Sequence, residues 1–185
     1  MSKLAENMSF FDRYMLINQL RILEVLYPDE ADSLSVQREA LENGYEILYD
    51  WAVDFISDGD DKMSPEESKE VWDTMDMFDA INRAVERHGE NIIEGRLFTK
   101  FRGYDGNNET KFMAFAAFTV ERLKRFEYVP MDKKGYWNSH MPVRDVYQRM
   151  LTKWREVATS RRFELTPEEV SAILDEAIHP ENRPA

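Results

Sequence analysis

Cysteine is absent from this 185-residue chain. Its absence removes disulfides, thiolate metal sites and cysteine nucleophiles together, and with them any disulfide-stapled secreted fold. Glycine and proline are scarce, at seven each. An all-β sandwich needs denser turn punctuation, so few turns and long elements are expected. Histidine occurs only at His88, His140 and His179, with no pair at i, i+4. Zinc needs three or four converging ligands, so no metal and no cofactor is expected. No stretch is apolar enough to cross a bilayer: the longest, Phe112 to Val120, is interrupted by Thr119 and is too short. Met1 to Asn7 carries Lys3 and Glu6 and lacks the apolar core of a signal peptide. The cytoplasm is the expected location, with no membrane partner. Positive charge is in the minority, 24 basic against 36 acidic residues for a net −12. A field of that sign repels phosphate backbones and argues against direct nucleic-acid binding.

What is present is a core-forming composition. Hydrophobic residues make up 43% and aromatic residues 12%, enough for a sizeable interior. The charge is unevenly spread: acids dominate Asp29 to Asp79, and bases gather at Lys133, Lys134, Arg144, Arg149, Lys153, Arg155, Arg161 and Arg162. That basic stretch reads either as a solvated helix face or as an anion-binding or partner-docking face.

Helical periodicity runs through most of the chain. Ser9 and Asp12 form a capping-box start for a helix ending before Pro28. A second helix is expected over about Ala31 to Asn43, stopped by Gly44. Tyr45 to Ile56 fits helical spacing but also alternates as a strand would, so a short β element near 45–56 stays open. Ser64-Pro65-Glu66-Glu67 opens a helix whose Val71, Met75, Phe78, Ile81 and Val85 share a face. The helix expected over about 108–126 is apolar nearly all round, a pattern suited to the centre of a bundle or to an oligomer interface. A helix over about 143–158 and one opened by Thr166-Pro167-Glu168-Glu169 complete the set. The expectation is a mainly α protein, a multi-helical bundle around that central apolar helix. Residues 9–178 form one domain, with an N-terminal extension at 1–8 and a tail at 179–185.

Chemical motifs are sparse. An EF-hand from Asp58 fails at Lys62, Met63 and Lys69, and one from Asp105 fails at Ala116. No P-loop, nucleophile elbow or dinucleotide fingerprint occurs. Two loops concentrate polar groups among aromatics. One carries Arg102, Tyr104, Asp105, Asn107, Asn108 and Glu109, and the other Trp137, Asn138, Ser139 and His140. Brought together, they would make an apolar-walled site with a few directed polar groups, and Arg102 would suit a small anionic ligand. The bland reading assigns the same residues to helix caps and turns.

The chain resembles the YfbU family of bacterial and archaeal proteins. The likeness is carried by Ile17-Asn18-Gln19, Leu26-Tyr27-Pro28, Gly44-Tyr45, Val71 to Phe78, Phe101 to Glu109, Asn138 to Pro142, Tyr147 to Trp154, and Leu165 through Leu174. It spans about Tyr14 to Ala177. The resemblance implies no established reaction. Some members carry the domain beside a helix-turn-helix module, which implies a regulatory role by association. This chain is therefore expected to be a ligand- or protein-binding regulatory or interaction domain. The alternative is a small hydrolase-type enzyme using Asp105, Glu109 and His140 as acid/base groups. The surplus of large apolar residues also points to self-association, as a dimer or higher.

Overall fold

The computed structural model describes residues 8–52, 62–131 and 135–182. Among them are six α-helices: α1 (Phe10–Leu26), α2 (Ala31–Asn43), α3 (Pro65–His88), α4 (Thr110–Glu121), α5 (Arg144–Glu156) and α6 (Pro167–Asp175). There is no sheet among the described residues, only two isolated parallel bridges. The fold is all-α. The chain divides into two compact units, residues 1–59 and 60–185.

Local chemistry sets the helix starts. Ser9, Ser64 and Thr166 each accept from the backbone N–H three residues on. Asp12, Glu67 and Glu169 reach back to the N-cap N–H in return. Each box satisfies two donors that a helix otherwise leaves unpaired. At the other end of α2, Gly44 turns left-handed at φ 74° and closes the last turn on Ala40 and Leu41. The ambiguous stretch after it is a 3-10 helix over Glu46–Ala52. Its remainder, 53–56, lies outside the described residues.

In the first unit, α1 packs against α2. Leu20, Leu41 and Tyr49 form a small core, with Leu16, Ile17 and Leu34 packed onto it. Arg21–Glu42 (2.7 Å) and Arg38–Glu24 (2.6 Å) tie the two helices at their rims.

In the second unit α3 packs against α4, α5 and α6. It buries Val71, Met75, Met77, Phe78, Ala80, Ile81 and Ala84, so nearly every side of its middle turns is covered. Tyr147, Met150, Leu151 and Trp154 face it from α5, and Val170, Ile173 and Leu174 are buried on α6. The apolar helix α4 is shorter than its periodicity implies. Lys124 and Phe126 both adopt positive φ, so the chain leaves the helix after Glu121. Phe112, Ala116 and Thr119 are buried, while Phe118 is 48% exposed. Thr119, the polar break in the run, points inward and accepts from the Trp72 indole at 3.2 Å.

Phe78→Ala should therefore cost about 3–5 kcal/mol in denaturant unfolding, as expected for a fully buried aromatic. Phe118→Ala should change stability by only about 0.5–1 kcal/mol.

Candidate functional site

The structure brings the two polar loops together. Tyr104 N–H donates to the Trp137 carbonyl (2.9 Å), and Ser139 N–H donates to the Tyr104 carbonyl (3.0 Å). Tyr104 and Asn138 thereby form a parallel bridge, and Phe101 and Met131 form another. Two glycines permit the approach. A Cβ on Gly103, at φ 80°, would lie 1.9 Å from the Trp137 carbonyl oxygen; one on Gly106 would lie 2.6 Å from the Asn138 amide. Gly103 has no room for a side chain against that backbone, whereas a side chain at Gly106 would displace the Asn138 amide from its hydrogen bonds.

The side chains of the loops are committed to this join. Glu109, 7% exposed, accepts three backbone N–H bonds, from Asp105 (2.9 Å), Val143 (3.0 Å) and Arg144 (2.8 Å). One carboxylate thus closes the first loop and caps α5. Its charge suits the positive end of that helix. Asp105 is buried and binds the Asn107 N–H and the Asn108 amide. Asn138 Oδ1 accepts from Gly106 N–H (3.0 Å) and His140 N–H (2.9 Å). Ser139 Oγ donates to the Met141 carbonyl (2.7 Å), and the Trp137 indole donates to Glu121 (2.7 Å).

Aromatic rings underlie the join. Tyr104, Phe101, Tyr147 and Phe78 pack with ring centroids 5.4–5.8 Å apart. Burial pushes the Tyr104 and Tyr147 phenols well above the usual tyrosine range, so neither ionises at physiological pH. The Tyr147 hydroxyl accepts from Arg102 N–H at 3.0 Å. The Arg102 guanidinium lies over the Phe98 ring, 4.5 Å from its centroid. Asn107 and Asn108 are exposed. His140 stands apart at φ 57°, exposed, its imidazole against the Tyr136 hydroxyl. No hydrogen bond joins it to Asp105 or Glu109. The proposed acid/base trio is therefore two buried carboxylates engaged with backbone and one outward imidazole.

This chain matches the YfbU domain over residues 6–176. It belongs to the YfbU family. It is also 33% identical over 173 residues to the UPF0304 protein MJECS11 of Methanocaldococcus jannaschii, covering 91% of this chain and 99% of that one. The YfbU family match thus runs through both compact units. No helix among the described residues is long and apolar enough to cross a membrane.

Several functional-looking groups resolve into structural pairs that sequence separation had hidden. Glu70 on α3 holds Arg144 through two bonds (2.7 and 3.0 Å) and Gln148 (3.1 Å). Asp73 holds Lys69 and Arg155, and Glu169 holds Arg161. Arg149 and Arg162 donate to backbone carbonyls. Among the described bases of the basic stretch, all are thus engaged, Lys153 with Glu156. A shallow concavity of about 300 Å³ between α5 and α6, lined partly by Lys153, Arg161 and Ile173, lies among these pairs rather than at the joined loops.

One carboxylate is stressed. Asp76, half-buried on α3, has its pKa raised to about 6 by burial and by Asp73 and Asp79, with Arg125 and Lys69 opposing. The folded value lies above the ordinary 3.8. Ionised Asp76 therefore destabilises the fold; the penalty is absent below pH 4, grows through pH 4–6 and is complete above 6. Asp76→Asn should raise stability at pH 7.5 by about 1 kcal/mol, partial exposure screening the rest. That gain should vanish at pH 3.5 in the same urea titrations. Glu109→Ala, which strands three N–H donors, should lower stability by about 2–4 kcal/mol without loss of helical circular dichroism at low temperature.

Proposed function

We propose that this protein is a cytoplasmic protein-interaction domain, in which the joined loops are a structural clasp and the outer face of α1 is the working surface. Glu109 is taken up by three backbone N–H groups and Asp105 by the Asn107 N–H and the Asn108 amide, which leaves the hydrolase reading without a carboxylate free for acid/base work. The observation that carries the interaction reading is the apolar face of α1. Phe11 is 66% exposed and Val25 79%, with Phe10, Tyr14, Met15, Ile22 and Leu26 also exposed. Together these side chains present on the order of several hundred Å² of apolar surface on one helix, beyond the scattered exposure that a monomer tolerates. Any regulatory role would pass through a partner, since a chain of net charge −12 is a poor ligand for DNA. The family match through both units supports treating 9–178 as one domain.

The absence of cysteine makes the test direct. Val25→Cys, in nanomolar full-length protein, should react with a maleimide at close to the rate of a free thiol. Ala40→Cys, at a buried position of α2, should react at least about a hundredfold more slowly. Equally slow labelling of both in dilute solution would mean that the chain covers this face itself, and the interaction reading would fall.

A further inference from the structure

We infer that the partner on this face is a second copy of the chain, with the two α1 helices meeting antiparallel across a twofold axis at Asn18. The inference rests on the interaction reading and adds the occupant and its orientation.

The face has the spacing of a helix seam. Phe11, Met15, Asn18, Ile22 and Val25 follow one another at intervals of four, three, four and three residues, the spacing that aligns one stripe for knobs-into-holes packing. Phe11, Met15, Ile22 and Val25 are all exposed. The opposite side of the helix is already used, with Leu16 and Leu20 in the core against α2. The seam carries no charged residue. Two copies of a chain at −12 can approach along it without placing like charges in contact.

The row is also nearly symmetrical about its centre. Phe11 stands seven residues before Asn18 and Val25 seven after; Met15 stands three before and Ile22 four after. A parallel pair would set Phe11 on Phe11 and Val25 on Val25, wide at one end and narrow at the other. An antiparallel pair sets each Phe11 against a Val25 and each Met15 beside an Ile22. The volume is then even along the contact, as close packing requires, and the helix dipoles oppose. Asn18 makes no side-chain hydrogen bond within the described residues. At the axis its amide would donate to the Asn18 carbonyl of the other copy and accept in return. A polar residue of this kind at one seam position fixes register and partner number. With the exposed rim of Phe10, Tyr14 and Leu26, the face offers on the order of several hundred Å² of apolar surface per partner, in the direction of the roughly 800 Å² of a standard interface.

The experiment uses single cysteines in the full chain. The unmodified protein should sediment as a dimer at tens of micromolar. Val25→Cys labelling should slow at least about tenfold between nanomolar and tens of micromolar protein. Asn18→Cys should form a covalent dimer on mild oxidation. Phe11→Cys alone should not, whereas Phe11→Cys mixed with Val25→Cys should. Ile22→Glu, at an exposed position, should give a monomer with unchanged helical circular dichroism, and Val25→Lys provides a second such variant. Self-linking of Phe11→Cys, or dimers that survive both charge substitutions, would overturn the inference. A monomer at every concentration whose Val25→Cys labels fast would overturn the second copy and leave the interaction reading standing. A monomer whose Val25→Cys labels slowly would overturn both.

Discussion

The carboxylate of Glu109 accepts backbone N–H groups from Asp105, Val143 and Arg144, and much of the second unit is organised around that junction. It closes the loop before α4 and starts α5 at the same point. Buried N–H groups without partners are costly, and this side chain satisfies two at the start of α5. From α5, Arg144 reaches Glu70 on α3 while lying over the Phe112 ring of α4, 4.2 Å from its centroid. Tyr147, one turn further on, enters the aromatic cluster with Phe78, Phe101 and Tyr104. Clasp, helix start and core are therefore one connected arrangement rather than a scaffold with a separate site mounted on it.

This arrangement explains why the loops look functional in the sequence. Polar residues flanked by aromatics are the composition of a ligand site. They are also the composition of two loops that must cross a buried surface with every backbone group satisfied. Asp105 and Asn138 do for irregular backbone what Ser64 and Thr166 do for helices. Composition alone does not separate the two cases; the direction of the hydrogen bonds does.

How much was legible follows from range. The capping boxes at Ser9, Ser64 and Thr166 and the Gly44 stop act over three to five residues, so residue spacing alone reveals them. Both loops stand out in the sequence as polar groups among aromatics, and a shared site requires them to lie against each other, as they do. The role of Glu109 is not legible: its helix-capping partners lie 34 and 35 residues away, and no local pattern encodes them. The pairing of Glu70 with Arg144, 74 residues apart, was hidden for the same reason. Periodicity overstated α4, since a run of apolar residues does not reveal that the chain turns at Lys124 and Phe126.

The separation between Glu109 and Val143 also bears on how the second unit acquires its structure. The capped helices are stabilised by local contacts and can form early, on the microsecond scale of helix growth. The clasp joins points about thirty residues apart, and closing such a loop costs entropy that only the completed contact offsets. Before closure, Gly103 and Gly106 leave their segment with wide conformational freedom. Docking of α5 onto α3 therefore depends on a non-local closure, whereas the capped helices form from local contacts. A chain without the clasp would leave the aromatic cluster incompletely covered, and exposed apolar surface of that kind favours aggregation.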